Sequence, residues 1–332
     1  MNLGRKATYA SFAWAAGISA LLLLASITAH AERGYPTKPV RIIYASAAGT
    51  SGDVRTRLVA EKLSQRLGQQ FIVEDKPGAG TTLANMFVRD AKPDGYVLLA
   101  TFTPAFPVGP LLYREARYDP ISSFTRIAMF AQGSPFLVVH PSVPAKTVRE
   151  FVSLAKAKPG SISIAHAGPG SANHLPSELL RQTAGIDVLY VSYKSEAQAL
   201  PDLLSGRVSA MFAYTAVAVP QIKAGKLRGL GVAGSQRNSA VPEVPTIAES
   251  GYPGFEFHGT MLLLGPAGLP TEIVSLLNRE IASIMQEKDV RAAYETTGAD
   301  PVYGTLEEVQ ALIARETELN TSLVRKLGLQ PE

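Results

Sequence analysis

A short strand, a turn of small residues and a helix follow one another near the start of the chain, and this unit constrains the fold most. Residues 40–44 form a β-branched run with the composition of a buried strand. From Val54 to Leu67, apolar residues recur at roughly helical spacing, and Gly68 marks the expected end of a helix. The intervening turn, residues 46–52, contains two glycines and no bulky side chain.

This turn predicts an anion site at the start of the helix. The first N–H groups of a helix have no partner within it, and they carry the positive end of the helix dipole. The alternative is an ordinary strand-to-helix turn without a ligand. Asp53 also has two interpretations, because its carboxylate could bind a ligand ammonium or accept hydrogen bonds from backbone N–H groups at the helix start. The second is favoured.

The same unit recurs roughly 120 residues later. Residues 162–165 read as a strand, residues 166–173 as a small-residue turn, and residues 174–184 as a helix that ends at Gly185. Two such units predict two α/β domains of similar build.

Further loops are expected on the same edge of the first sheet. Strands at 71–75 and 96–100 lead into the small-residue loop at 78–82 and the loop at 101–106. The carboxyl ends of parallel strands lie on one edge of an open sheet, so these loops should converge there. A second chain crossing near 257–264 makes the first domain discontinuous. The predicted domains are therefore 32–130 plus 260–332 for the first, and 131–259 for the second.

The first 31 residues read as a secretory signal peptide rather than as part of the fold. Arg5 and Lys6 precede an apolar run at about 13–27, and residues 29–31 fit a small-x-small cleavage site before Glu32. The run is short for a membrane-spanning helix, which needs about 20 residues. An uncleaved anchor is the alternative. No later segment is apolar enough to span a membrane, so the predicted location is the periplasm.

Composition excludes several classes of function. The chain has no cysteine, which excludes disulfides and thiolate chemistry. Removal of the signal lowers the net charge from +4 to +2, too small a bias to indicate a nucleic-acid partner. The four histidines beyond the signal lack metal-site spacing, so we expect neither a metal nor another cofactor.

Short motifs along most of the remaining chain resemble one known family. Their order and spacing are similar to those of the periplasmic receptors of tripartite tricarboxylate transporters, also called Bug receptors. The resemblance runs from about Tyr35 to Leu329. The matching stretches are residues 35–41, 60–63, 74–80, 93–96, 174–175, 191–194, 222–228, 244–246 and 265–268.

The resemblance implies a type II periplasmic binding protein fold, with two α/β domains joined by two crossing strands and a ligand cleft between them. It implies a receptor that binds a small organic carboxylate, catalyses no reaction, and delivers its ligand to the integral-membrane permease subunits. Nucleic acid is not an expected partner, and a monomer is expected. By position, the cleft-facing loops are 46–52, 78–82, 101–106, 166–173, 192–195 and 213–215.

The predicted ligand-binding residues come from these loops and the adjoining helix start. They are Ser46, Ala48, Gly49, Thr50, Ser51, Asp53, Gly80, Thr81, Thr103, His166, Gly170, Ser171, Asn173, Tyr193 and Tyr214. The loops themselves contain no arginine, so backbone N–H groups and hydroxyls are the expected anion donors. The chain departs from the family pattern at Ala47-Ala48 and at Ala213, which leaves the ligand's identity open.

Two other functions remain open at this point. Ser171 and His174 could form the nucleophile and base of an exported hydrolase, although no Gly-x-Ser-x-Gly motif and no partner acid accompany them. A receptor for another class of importer is the second alternative. Tyr193 and Tyr214 could stack on a ligand or belong to the core. Lys194 could pair with a carboxylate, although most lysines lie on the solvated surface.

Overall fold

The computed structural model describes residues 34–296 and 298–330. The predicted signal peptide and its cleavage site lie outside the described residues. Residues 34–38, the described part of a first compact unit, contain no helix or strand. The second compact unit starts at Pro39 and contains all the elements below.

The first sheet has five strands in the order β2-β1-β3-β10-β4. Strands β1, β2 and β3 are parallel, whereas β10 runs antiparallel to both β3 and β4. The strands are β1 (Val40–Tyr44), β2 (Phe71–Asp75), β3 (Val97–Phe102), β4 (Phe124–Gly133) and β10 (Gly259–Pro266).

The second sheet repeats this plan with the order β7-β6-β8-β5-β9. Strand β6 is parallel to both β7 and β8, and β5 runs antiparallel to β8 and β9. The strands are β5 (Phe136–Val139), β6 (Ser163–His166), β7 (Leu189–Ser192), β8 (Ala210–Ala213) and β9 (Arg228–Val232). The recurrence of the strand–turn–helix unit in the sequence therefore corresponds to two sheets of matching build.

Helices cover both sheets, and we call each sheet with its helices a lobe. In chain order the helices are α1 (Ser51–Leu67), α2 (Thr82–Arg89), α3 (Gly109–Leu112), α4 (Val148–Ala157), α5 (His174–Ala184), α6 (Glu196–Leu204), α7 (Thr215–Lys223), α8 (Thr271–Ile284), α9 (Lys288–Thr296) and α10 (Leu306–Lys326). Helices α1, α2, α8 and α10 pack on the first sheet, and α5, α6 and α7 on the second. No helix within the described ranges is long and apolar enough to cross a membrane.

Local sequence signals set the ends of the helices that matter for the site. The Thr50 hydroxyl accepts a hydrogen bond from the Asp53 N–H at 3.4 Å and caps α1. Gly68 and Gly185 end α1 and α5 with φ values of 68° and 61°. These are left-handed conformations that glycine adopts without a side-chain clash, so both predicted helix ends are confirmed.

The chain passes between the lobes at two neighbouring places. Strand β4 ends at Gly133 in the first sheet, and β5 begins at Phe136 in the second. The return crossing precedes Gly259, which pairs with Gly133 at the start of the β10–β4 ladder. Both crossings therefore lie side by side, a geometry suited to a hinge. The exact domain boundaries given above stay a prediction.

Candidate functional site

A cavity lies between the lobes, where the carboxyl ends of the parallel strands of both sheets meet. Its volume is about 100 Å³, well above the 10–15 Å³ that one water requires. The first lobe contributes the turn after β1, the start of α1, and residues at the ends of β3 and β4. The second lobe contributes the turn after β6, the start of α6, and Tyr214. The cavity can therefore accommodate a small molecule in contact with both lobes.

Eight of the fifteen predicted ligand-binding residues line this cavity. They are Ser46, Thr50, Ser51, Gly80, Thr81, Ser171, Asn173 and Tyr214. The other seven do not contribute to its wall: Ala48, Gly49, Asp53, Thr103, His166, Gly170 and Tyr193. About half of the predicted residues therefore lie on the cavity wall, and ligand contact by each of them stays a prediction.

The turn after β1 is fixed by hydrogen bonds that use some of the groups expected to bind the anion. Thr50 Oγ1 lies 2.7 Å from the Tyr44 hydroxyl and donates to the Ala47 carbonyl at 3.0 Å. The Gly49 N–H donates to Asp53 Oδ2 at 2.8 Å, and Asp53 also forms an ion pair with Arg57. Asp53 therefore stabilises the helix start, as favoured above, and the Gly49 N–H is already paired.

The turn after β6 is also internally bonded. The Gly170 N–H donates to His174 Nδ1 at 3.1 Å, and the Ser171 hydroxyl donates to Asn173 Oδ1 at 2.9 Å. The Asn173 Oδ1 also accepts the Ala167 N–H at 3.0 Å. Neither glycine N–H thus faces the cavity unpaired, which corrects the expectation that these two N–H groups bind the anion.

The geometry does not assemble a serine hydrolase. The Ser171 hydroxyl is bonded to Asn173 and not to an imidazole. Burial, with a smaller contribution from the neighbouring His166, lowers the pKa of His174 to about 3. The two imidazole rings lie 4.6 Å apart and belong to a buried cluster with Tyr190. His174 is therefore a structural residue of the turn, and a general base would need a pKa nearer neutrality.

Other predicted residues have structural partners outside the cavity. Thr103 is buried and accepts the Thr260 N–H at 2.9 Å, which ties β10 to the end of β3. The Tyr193 hydroxyl donates to Asp202 at 2.8 Å. Tyr214, in contrast, lines the cavity and meets Phe102 of the first lobe edge to face, with ring centroids 4.9 Å apart. These two rings form an apolar wall to which both lobes contribute.

The sequence reasoning missed Arg55, which lines the cavity although it belongs to a helix and not to a loop. Its Nη1 donates to the Ser51 carbonyl at 2.9 Å, and its Nη2 donates to the Thr215 hydroxyl of the second lobe at 2.7 Å. Burial lowers the pKa of Arg55 from its usual value. The i, i+4 spacing from Ser51 was the available signal, since it places both residues on one helix face.

Glu196 is the second charged residue that was missed. It is the first residue of α6, one position beyond the predicted loop at 192–195, and it lines the cavity. Its Oε1 accepts the Tyr214 N–H at 2.7 Å. Burial raises the pKa of Glu196 to about 7, opposed in part by that N–H and by Arg55. Lys194, considered above as a carboxylate partner, also lines the cavity but is exposed.

Direct bonds join the two lobes around the cavity. Besides the bond from Arg55 to Thr215, the Ala216 N–H donates to the Ser51 hydroxyl at 2.9 Å. On another part of the boundary, the Tyr113 hydroxyl donates to the Pro169 carbonyl at 2.9 Å. The lobes are thus in contact, and opening the cavity would break these bonds. Among the described residues, no cluster of histidine and carboxylate side chains forms a metal site.

Comparison with known proteins shows where this architecture belongs. The family model described as tripartite tricarboxylate transporter family receptor matches residues 55–329. Protein BugT of Bordetella pertussis is 32% identical over 295 residues, which cover 89% of this chain and 90% of that protein.

Two solved structures share nearly the whole fold. Rpa4515 of R. palustris, solved with adipate, has a TM-score of 0.86 and 29% identity, with 90% of this chain and 100% of that chain covered. Periplasmic binding protein BugD has a TM-score of 0.86 and 30% identity, with the same coverage. These similarities confirm the predicted type II periplasmic binding protein fold and the prediction of a receptor in place of an enzyme. The chain belongs to the tripartite tricarboxylate transporter receptor family.

Proposed function

We propose that this protein is an extracytoplasmic solute receptor that binds a small organic carboxylate between its lobes. The observation that carries the proposal is the buried Arg55 guanidinium in a cavity lined by both lobes. A guanidinium pairs well with a carboxylate, because its donors match the two carboxylate oxygens. The structural relative solved with adipate supports the same ligand class.

Hydroxyl groups on the cavity wall add donors to the guanidinium. Thr81 lines the cavity from the first lobe. Ser171 lines it from the second lobe, but its hydroxyl already donates to Asn173 Oδ1 and can therefore only accept a bond from a ligand. Thr101 also lines it, and its Oγ1 is buried without a hydrogen-bond partner in the described part of the chain. Buried hydroxyls usually find a partner, so an oxygen-rich ligand would complete this site. The groups that would hold the ligand carboxylate are thus mainly side chains, together with any backbone N–H groups of the turns that have no protein partner.

Delivery to membrane permease subunits, a periplasmic location and a monomeric state are parts of the same proposal. The first two are supported by family membership and by the signal-like first 31 residues. A receptor of this kind would offer its closed, ligand-bound form to the permease. The exported hydrolase is not favoured, because Ser171 and His174 have separate structural partners.

Calorimetry and thermal shift with a panel of small organic acids test the proposal. A carboxylate at a hundredfold excess over Kd should stabilise the protein by about 2.7 kcal/mol. The methyl ester of the same acid should not, because it cannot pair with Arg55. Tyrosine emission or heat must report binding, since Trp14 is the only tryptophan and precedes the predicted cleavage site. Equal shifts from acid and ester would contradict the proposal.

A further inference from the structure

The cavity contains two buried side chains of opposite charge, one from each lobe. Arg55 is 7% exposed and Glu196 is 8% exposed. Within the described residues neither belongs to an ion pair shorter than 4.0 Å, although each affects the other's charge electrostatically. A buried charge without a close counter-ion is costly. A ligand with both charges would supply a counter-ion to each group.

Arg55 lines the cavity and has donors that no protein group within the described ranges uses. Its two terminal nitrogens each donate one bond to the protein, to Ser51 and to Thr215. Its Nε is buried and has no hydrogen-bond partner in the part of the chain that the structure describes. Since no carboxylate of the described residues forms an ion pair with the guanidinium, a ligand carboxylate is its natural partner.

Glu196 offers the opposite chemistry. One oxygen accepts the Tyr214 N–H, and among the described residues no hydrogen bond is made to the other oxygen. The other charged or titratable groups on the cavity wall are Arg55 and Tyr44 from the first lobe, and Lys194 and Tyr214 from the second. Lys194 is exposed, so water screens its charge. An ionised Glu196 would repel a ligand carboxylate and attract an ammonium group.

We propose that the ligand is an amino acid, whose carboxylate pairs with Arg55 and whose ammonium group pairs with Glu196. This inference rests on the proposed function and names the ligand class of the same site. With Glu196 ionised, the two buried charges of the cavity sum to zero, which suits a zwitterion better than a simple dicarboxylate. The sequence analysis assigned a possible ammonium contact to Asp53, but Asp53 does not line the cavity and pairs with Arg57 and the Gly49 N–H.

Matched pairs of acids with and without an amino group test the inference. The probes are L-aspartate and succinate, L-glutamate and glutarate, L-2-aminoadipate and adipate, and L-leucine and 4-methylpentanoate, measured by calorimetry on the chain without its first 31 residues. In at least one pair the amino acid should bind about tenfold more tightly or better, as expected for a buried charge pair. If the simple acid binds as tightly as the matched amino acid in every pair, this inference is overturned, whereas the proposed function is still supported.

A charge variant makes the assignment specific to Glu196. Glu196→Gln keeps the size and one acceptor oxygen but removes the charge. It should weaken binding of the preferred amino acid about tenfold or more, and it should not weaken binding of the matched simple acid. Glu243→Gln changes an exposed glutamate of the second lobe and serves as the control, with unchanged binding. Circular dichroism checks folding. Unchanged amino-acid affinity in Glu196→Gln would assign the ammonium contact elsewhere and overturn the inference.

Proton linkage gives an independent readout. An ammonium beside Glu196 favours its ionised form, so binding at pH 7 should release up to about half a proton, given a pKa of about 7. The release is measured by calorimetry in two buffers of different ionisation enthalpy. Proton uptake would mean that protonated Glu196 donates to a ligand carboxylate, which would overturn the inference. If no probe of either kind binds, both this inference and the proposed function fail.

Discussion

Replacing Gly170 with alanine tests whether the lobes must touch for a ligand to be held. Gly170 belongs to the second lobe and has a φ of 69°. A Cβ at this position would overlap Leu112 Cδ1 and lie 3.1 Å from Val108 Cγ2, both in the first lobe. The glycine therefore allows close contact between the lobes and does not line the cavity.

The expected cost has two parts, which a control variant separates. A left-handed conformation costs an alanine roughly 1–2 kcal/mol in any state of the folded protein. The overlap with Leu112 adds about 1–3 kcal/mol, as extra methyl groups do in tight packing. This second part applies only while the lobes touch, so it should raise Kd roughly 5- to 150-fold. Gly160→Ala is the control, since Gly160 has a φ of 71° and no atom of the described residues lies within 4 Å of a Cβ added there.

The assay is calorimetric titration of both variants with the best carboxylate or amino acid from the panel, together with thermal unfolding without ligand. Without ligand the lobes are expected to separate, which relieves the overlap with Leu112. Both variants should then lose a similar amount of stability, because only the cost of the left-handed conformation remains. Only Gly170→Ala should bind weakly. Normal affinity in Gly170→Ala would show that the bound form does not need this contact, and the argument from lobe closure would be refuted.

The remaining predictions concern pH, a cavity hydroxyl and export. The pKa of Glu196 is raised from 4.5 to about 7, so the folded protein holds a proton that the unfolded chain releases between these values. This contribution of Glu196 to the stability without ligand is therefore lost as pH rises from 4.5 through 7. Glu196→Gln lacks it, so in urea unfolding the difference in stability between the two proteins should change by roughly 3 kcal/mol at most over that range. An unchanged pH slope in this variant would contradict the assignment. Ser171→Ala removes the hydroxyl that bonds to Asn173 at the cavity wall and should weaken binding roughly fivefold, near 1 kcal/mol, by calorimetry; complete loss of binding would make the hydroxyl the main anchor. Mass spectrometry of the periplasmic fraction should find Glu32 as the first residue, and full-length protein in the membrane would contradict a cleaved signal.

Local structure was readable from the sequence because it depends on neighbouring residues. Thr50 marks the start of α1 and Gly68 marks its end, and each acts within one turn of the helix end. The repeat of strand, small-residue turn and helix predicted two similar α/β lobes, and the order of short motifs identified the family. Loops at the carboxyl ends of parallel strands must lie together, which is why eight predicted residues line the cavity.

Tertiary structure alone decided which charged residues line the cavity. In the sequence, Arg55 looks like a solvated helix residue. Its burial becomes visible only in the structure, where it contacts Thr215, 160 positions away. Glu196 could not be distinguished from an ordinary first-turn acid until Tyr214 and the first lobe enclosed it. A sequence window fixes backbone conformation through short-range forces, whereas burial and the pKa shifts it causes depend on which distant surface covers a side chain.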